Sequence, residues 1–225
     1  MKFSDIRRAW KKIWYFIWED NSIWSWIVNI VLAFILIKFV VYPGLGFALS
    51  TTHPIVAVVS GSMEHNHLGF NGWWEKNKAW YLNNNLTKEE FNEFSLKNGF
   101  YKGDIIVLKG KKPKDIKIGD IIVFQSRRPD PIIHRVVKKS QIDEDYYFQT
   151  KGDNNPGPII DYRNINGNRI DKGASGAIKV LDETEINENE IIGKALFKIP
   201  LLGYIKIWFV EFVCLFNDFN FCIGD

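Results

Sequence analysis

Three separated segments of the sequence carry side chains that could do chemistry together. The first is Ser60-Gly61-Ser62-Met63, which directly follows an apolar run ending at Val59. A serine hydroxyl is a weak nucleophile unless a neighbouring base takes its proton, and a preceding glycine permits a tight turn that exposes the hydroxyl. Such a triplet is more often an ordinary loop, so Ser62 is a candidate nucleophile only if a base lies nearby.

A candidate base lies in the second segment, the strand-like run 132–137, which contains His134. A single histidine in a strand is more often structural than catalytic. The imidazole nevertheless titrates near neutral pH, which suits it to take and return a proton. His134 is therefore the histidine that we pair with Ser62.

The third segment, 150–156, is rich in turn residues and contains Asp153, and Asp161 follows eight positions later. Aspartate and asparagine before proline are typical of turns, so Asp153 could simply close a loop. A carboxylate in this region could also orient the imidazole and stabilise its protonated form.

In this order, the three segments resemble type I signal peptidases of the archaeal and endoplasmic-reticulum branch. The matching segments are Ser60–Met63, Gly119–Phe124, Ile133–Val136, Thr150–Asn155 and Ile192–Lys194. The resemblance extends from the N-terminal apolar segment to about residue 202. It implies a membrane-bound serine endopeptidase without a cofactor, which cleaves secretory preproteins after small residues at the −1 and −3 positions.

The resemblance also implies roles for individual residues. Ser62 is expected to be the nucleophile and His134 the general base, where bacterial relatives have a lysine. Asp161 is expected to orient His134, with Asp153 in support. The Ser62 N–H and the Ser60 hydroxyl are expected to hold the oxyanion.

The chain departs from the family pattern at two points near these residues. Glu64 is followed by His65, where the family usually has proline. The gap between Asp153 and Asp161 is about two residues longer than the family pattern.

An apolar segment must anchor this chemistry at a membrane. Residues 23–42 are apolar apart from Ser25, Asn29 and Lys38, and about 20 such residues span a bilayer core. Pro43-Gly44 is predicted to end the helix. The basic cluster before the span predicts a cytoplasmic N-terminus and an extracytoplasmic domain over residues 43–198.

Two further helices are predicted to associate with the membrane. Residues 1–22 carry tryptophans at helical spacing and basic residues on other faces, which indicates an interfacial amphipathic helix; packing on the protein itself is the alternative. A retained anchor is favoured over a signal peptide cleaved near Ala48-Leu49-Ser50. The apolar segment 199–225 is predicted to be a helix that either spans the membrane or lies on it.

Short β-rich runs separated by turn residues predict an α+β protein with a mostly antiparallel sheet. The predicted strands are Ile55–Val59, Asp104–Leu108, Asp120–Phe124, Ile132–Val137, Tyr146–Thr150 and Ile191–Phe197. Residues 72–99 interrupt them as a helical insertion, in which Thr87 and Glu90 form a capping box that opens a helix to about Lys97. Asn85 in this insertion fits a glycosylation acceptor, and an unmodified asparagine is the alternative.

The net charge, the remaining histidines and the cysteines limit the kinds of partner and ligand that the protein is expected to bind. A net charge of +3 is too small to indicate nucleic acid. His53, His65 and His67 are predicted to lie in solvated loops rather than to bind a metal. Cys214 and Cys222 are predicted to be buried or membrane-facing thiols, with a disulfide between them as the alternative. The expected partners are secretory preproteins and the lipid bilayer, with the translocation machinery as a further candidate. Two rival hypotheses remain. One is a tethered β-domain that binds peptides without catalysis, and the other is a membrane serine protease with regulatory substrates.

Overall fold

The computed structural model describes residues 3–204 and residue 208. The chain divides into two compact units, Met1–Ala48 and Leu49–Asp225. The predicted C-terminal helix beyond residue 204, apart from residue 208, and both cysteines lie outside the described residues.

The N-terminal unit is helical. It contains α1 (Phe3–Trp18), α2 (Ile23–Leu36), a π-helical turn (Ile37–Val41) and α3 (Tyr42–Leu49). The stretch Ile23–Leu49 has a mean hydropathy of 2.2 over its most apolar window and is long and apolar enough to cross a membrane. It is the candidate membrane span of the described residues.

The helix does not end at Pro43 as the sequence predicts. A proline in a helix lacks an N–H and its ring collides with the carbonyl four residues earlier. Here the helix widens into the π turn just before Pro43, and the Tyr42 N–H bonds to the Ile37 carbonyl. The local change of helical pitch lets the apolar helix continue to Leu49.

Two polar residues of the span hold α1 against the start of α2. The Ser25 hydroxyl donates to the Phe16 carbonyl at 2.6 Å, and the Asn29 amide donates to the Ile17 carbonyl at 2.9 Å. These carbonyls lie in the last turn of α1, where a helix has no internal donors for them.

The second unit is built on a seven-stranded antiparallel sheet, which confirms the predicted class of sheet. Its strand order is β1-β2-β9-β3-β4-β5-β8, and β6 and β7 form a separate pair. The strands are β1 (Ile55–Ala57), β2 (Ile105–Lys109), β3 (Ile121–Phe124), β4 (Ile132–Ile142), β5 (Asp145–Lys151), β6 (Ile160–Arg163), β7 (Ile178–Asp182), β8 (Ile186–Asn187) and β9 (Ile191–Ile199). All six predicted strands are present, and β6, β7 and β8 were not predicted.

The central strand β3 is buried on both faces. Ile121 and Val123 belong to one apolar cluster, and Ile122 and Phe124 belong to another. Because side chains alternate between the faces of a strand, the sheet has a core on each side. The strands next to β3 are therefore held rigidly, which suits them to position reactive side chains.

The insertion between β1 and β2 is helical, as predicted, and contains α4 (Gly69–Asn83) and α5 (Lys88–Asn92). Thr87 and Glu90 form the predicted capping box. The helix α5 ends at Asn92 rather than Lys97, and the chain that follows turns at Leu96, whose φ is +51°. The aromatic side chains of the insertion form a third cluster: Trp73, Trp74, Tyr81 and Phe91.

Candidate active site

The loop after β1 carries Ser62. The Val58 N–H donates to the Asp104 carbonyl and the Gly103 N–H donates to the Val58 carbonyl, each at 2.9 Å. These bonds hold the end of β1 to the start of β2. The chain then turns tightly, with the Glu64 N–H on the Gly61 carbonyl at 3.1 Å, so Ser62 lies within a fixed turn.

The loop Gly152–Asn155 clamps this turn from the other side. The Asn154 N–H donates to the Ser62 carbonyl at 2.8 Å, and the Asn154 side chain donates to the Gly61 carbonyl at 3.2 Å. A Cβ on Gly152 would lie 2.7 Å from the Ser62 carbonyl oxygen and 2.9 Å from His134 Nε2. Only glycine allows the two segments to approach this closely.

His134 is the third residue of β4, opposite Ile122 of β3. The residue is 4% exposed, and its Nε2 lies 2.9 Å from Ser62 Oγ. The Ser60 hydroxyl is 3.2 Å from Ser62 Oγ. The structure therefore brings the predicted nucleophile, base and auxiliary hydroxyl together, and this geometry allows the Ser62 hydroxyl to donate its proton to His134.

The other nitrogen of His134 has a partner that the sequence did not predict. Nδ1 is hydrogen-bonded to Oε1 of Glu183, whose side chain is fully buried. Ser62, His134 and Glu183 thus form a chain of hydroxyl, imidazole and carboxylate, the arrangement that activates a serine in unrelated hydrolases.

The sequence is similar to those of known proteins over most of its length. The catalytic subunit sec11 of the signal peptidase complex of Schizosaccharomyces pombe is 30% identical over 177 residues, which are 77% of this chain and 76% of that protein. The chain belongs to the signal peptidase catalytic subunit family.

Further relatives carry the same description. The SEC11 subunits of Zygosaccharomyces rouxii and Komagataella phaffii are 26% and 25% identical, each over 77% of this chain and over 75% and 76% of their own lengths. No family model matches the chain. The relatives agree with the resemblance of the sequence to type I signal peptidases.

In this signal peptidase, Asp161 does not contact His134. Asp161 lies on β6, where Oδ2 accepts a hydrogen bond from Arg163 at 3.2 Å and Arg169 Nε lies 3.1 Å from Oδ1. Arg128 is 4.0 Å from Oδ2. The predicted pairing of Asp161 with His134 therefore requires correction: the arginines bind Asp161, and Glu183 takes the place beside the histidine.

Asp153 is also bound elsewhere. Its carboxylate accepts two bonds from the fully buried Arg135, at 2.9 and 2.7 Å, and lies 3.1 Å from His65 Nε2. Burial raises the pKa of Asp153, but the charge and hydrogen bonds of Arg135 and the bond to His65 outweigh burial and lower it to about 2. Asp153, which was predicted to support the catalytic acid, instead binds Arg135 and thereby holds the loop that clamps Ser62.

The remaining histidines predicted to be loop residues have different surroundings. His65 is buried and stacks on Trp73 with ring centroids 4.0 Å apart, whereas His67 stacks on Tyr101. His53 lies 2.9 Å from the Thr52 hydroxyl. Over residues 3–204 and 208, no group of three histidine, cysteine or acidic residues could hold a metal ion.

Lys151, next to Gly152, is a buried cation for which the sequence predicted no role. Its ammonium group donates to Tyr81 Oη at 3.2 Å and to the Gly152 carbonyl at 3.0 Å. Burial lowers its pKa to about 8, against the charges of Asp153 and Glu183, which raise it. Lys151 thus ties the loop of Gly152 to the aromatic cluster of the insertion.

Proposed function

We propose that this chain is the catalytic subunit of a signal peptidase, a serine endopeptidase that removes signal peptides from secretory preproteins, with Ser62 as nucleophile and His134 as general base. The observation that carries the proposal is the 2.9 Å contact between Ser62 Oγ and His134 Nε2. It joins the two most specific segments of the family resemblance, which lie 72 residues apart in the sequence.

The first step forms the tetrahedral intermediate. Ser62 Oγ attacks the scissile carbonyl carbon, its proton passes to His134 Nε2, and the carbonyl electron pair moves onto the oxygen. The Ser62 N–H and the Ser60 hydroxyl then donate to this oxyanion. One such donor typically lowers the barrier by about 2.7–4 kcal/mol.

The second step releases the mature protein. His134 returns the proton to the leaving amine, the peptide C–N bond breaks, and the signal peptide remains as an ester on Ser62. His134 next takes a proton from the water molecule that attacks the ester, and it returns this proton to Ser62 Oγ when the ester bond breaks, which frees the serine and releases the signal peptide. The same imidazole thus serves both halves of the reaction.

The site works at a membrane surface in this proposal. The helix Ile23–Leu49 has the length and hydropathy of a span, and the basic residues before it favour a cytoplasmic N-terminus. The catalytic unit then lies on the extracytoplasmic side, where the signal peptide's cleavage site leaves the membrane. The family pattern supports small residues at −1 and −3, and the relatives, named as subunits of a signal peptidase complex, support assembly with further proteins.

Cleavage of a preprotein in detergent by the wild type and by Ser62→Ala tests the proposal. The wild type should release the mature protein, and Ser62→Ala should retain less than about a thousandth of the rate, since removing a catalytic serine costs this much or more. The matched control is Ser140→Ala, an exposed serine on the same strand as His134, which should be fully active. An active Ser62→Ala would exclude Ser62 as nucleophile, and a wild type without hydrolysis would favour a peptide-binding β-domain.

A further inference from the structure

Glu183 directly follows β7, at the start of the turn to β8, and its side chain is completely buried. It belongs to the run Asp182-Glu183-Thr184-Glu185. Thr184 and Glu185 are exposed, as acidic turn residues usually are. Glu183 alone points inward, against His134, and an isolated buried carboxylate is rare without a specific partner.

Both carboxylate oxygens of Glu183 accept hydrogen bonds, which fix the orientation of the side chain. Oε1 accepts from His134 Nδ1 and from the Thr150 hydroxyl at 2.8 Å, while Oε2 accepts from the Ile159 N–H at 2.7 Å. The backbone of Glu183 is fixed by the same neighbours. Its carbonyl accepts from the Thr150 N–H at 2.8 Å, and its N–H donates to the Ile159 carbonyl at 3.0 Å.

These contacts determine which nitrogen of His134 carries the proton. With the proton on Nδ1 and shared with Glu183, the lone pair of Nε2 faces the Ser62 hydroxyl. A negative carboxylate at Nδ1 also stabilises the imidazolium that forms when Nε2 takes the serine proton. Glu183 therefore has the geometry to orient and support the base.

The two aspartates of the sequence pattern are bound elsewhere. Asp161 is paired with arginines and Asp153 with Arg135. The family spacing places the acid about two residues before Asp161, at Ile159, which has no carboxylate. The backbone N–H of Ile159 instead donates to Oε2 of Glu183, which lies at the end of β7.

We propose that Glu183 is the positioning carboxylate of this active site, in place of either aspartate. The assignment rests on the proposed function of Ser62 and His134. Glu183 stays ionised through the reaction and takes no proton from His134. It acts through the histidine and does not touch the substrate.

The variant Glu183→Gln tests the proposal, since it keeps the shape and removes the charge. Replacement of the acid by its amide in an unrelated Ser-His-Asp protease lowered kcat about 10⁴-fold, and we expect a loss of at least about 10³-fold here. Glu183→Asp restores the charge with a shorter reach and should recover a part of this loss. Glu185→Gln, an exposed glutamate of the same turn, and Asp161→Asn should each stay within about tenfold of the wild type.

A second readout separates positioning from a folding defect. Loss of a negative neighbour lowers the pKa of an imidazole, so the acidic limb of the kcat/KM profile should move to lower pH in Glu183→Gln. A smaller folded fraction would lower the profile without moving it. Where Glu183→Gln fails to fold, Thr150→Val removes one hydrogen bond to Oε1 and should give a smaller loss in kcat.

Nuclear magnetic resonance titration of His134 separates this proposal from the proposed function. The midpoint should fall in Glu183→Gln and stay unchanged in Asp161→Asn, whether or not the protein cleaves a preprotein. An unchanged midpoint in Glu183→Gln, or a dead Asp161→Asn beside an active Glu183→Gln, would overturn the assignment. Absence of hydrolysis in the wild type, with a lowered midpoint in Glu183→Gln, would refute the proposed function alone.

Discussion

His134 and Arg135 are neighbours on β4 with opposite roles. Because successive side chains of a strand point to opposite faces, His134 meets Ser62 and Glu183 on one face, and Arg135 meets Asp153 on the other. Asp153 in turn lies one residue before Asn154, whose N–H holds the Ser62 carbonyl. The two adjacent residues therefore set the base and the nucleophile loop from the two faces of the sheet.

Gly152 is the residue at which these two arrangements meet. In Gly152→Ala, the new methyl group would lie 2.7 Å from the Ser62 carbonyl oxygen, 2.7 Å from Asn155 Nδ2 and 2.9 Å from His134 Nε2. At least one of these atoms must move, and overpacking of this kind costs about 1–3 kcal/mol. A misplacement of about 1 Å can lower a rate 10²-fold, so we expect kcat to fall about 100-fold with a modest loss of stability.

Steady-state kinetics and thermal melts of Gly152→Ala check this expectation. Gly157→Ala is the matched control in the same loop, because its methyl group would meet Trp80 Nε1 at an ordinary 3.5 Å. A Gly152→Ala enzyme with normal kcat would show that the loop gives way without disturbing His134.

The sequence predicted the pair of Ser62 and His134 but not the carboxylate of Glu183. The reason is that the residues around the pair match a family pattern, whereas those around Glu183 do not. Ser62 and His134 stand in segments whose neighbours match the family pattern. Glu183 stands in an acidic turn that resembles many solvated turns, and only the paired strands β6 and β7 bring it to His134. No local feature of the sequence marks a buried glutamate.

Among the helices and strands, the sequence predicted the features that depend on neighbouring residues. It did not predict the features that depend on tertiary structure. The capping box at Thr87 and Glu90 was found because both partners lie within one helical turn. The helix through Pro43 was missed because the π turn that accommodates the proline depends on tertiary geometry and leaves no sequence mark. The strand β8 was missed because it is only two residues long. The strand β6 was missed because two of its four residues, Asp161 and Arg163, are charged and do not indicate a strand.

The buried pair of Arg135 and Asp153 joins β4 to the loop after β5, and to His65 beside the insertion. Breaking a buried ion pair from one side costs about 3–5 kcal/mol, since the other charge stays buried. We expect Asp153→Asn to lower the free energy of unfolding by about this amount. Asp145→Asn, an exposed position on β5, should change it by less than about 0.5 kcal/mol.

The pH dependence of stability gives an independent check on the same pair. The pKa of Asp153 is lowered from 3.8 to about 2 in the folded protein. Its ionised form therefore stabilises the fold above pH 3.8, and this contribution is lost as the pH falls towards 2. Denaturation measured between pH 5 and 2 should lose less stability in Asp153→Asn than in the wild type, and equal losses would show that Asp153 does not carry this effect.

Over residues 3–204 and 208, the structure contains one long apolar helix and a sheet unit that carries the reactive residues. The basic residues Arg7, Arg8, Lys11 and Lys12 precede the helix, and such clusters stay on the cytoplasmic side of a membrane. The proposed orientation of the chain rests on this charge alone and does not depend on the active-site assignment.

Trypsin treatment of sealed vesicles with their cytoplasmic face outward tests this orientation. The protease should remove an N-terminal tag and leave the exposed Arg169 intact, because the proposed orientation puts the unit that contains Arg169 on the far side of the membrane. Added detergent should expose Arg169 and serves as the control for accessibility. Cleavage at Arg169 in intact vesicles would place the sheet unit in the cytoplasm.

The side chains of Ser62, His134 and Glu183 come from distant positions in the sequence, and this determines when the site can form during synthesis. Ser62 and His134 are 72 residues apart, and His134 and Glu183 a further 49. A ribosome completes the nucleophile and base long before the carboxylate, and contacts between distant residues form late in folding. An unfinished chain that stops before residue 183 therefore holds an imidazole with no partner at Nδ1. We expect such an unfinished chain to lack the activity of the complete protein until the segment that contains β7 and Glu183 has been made and has folded.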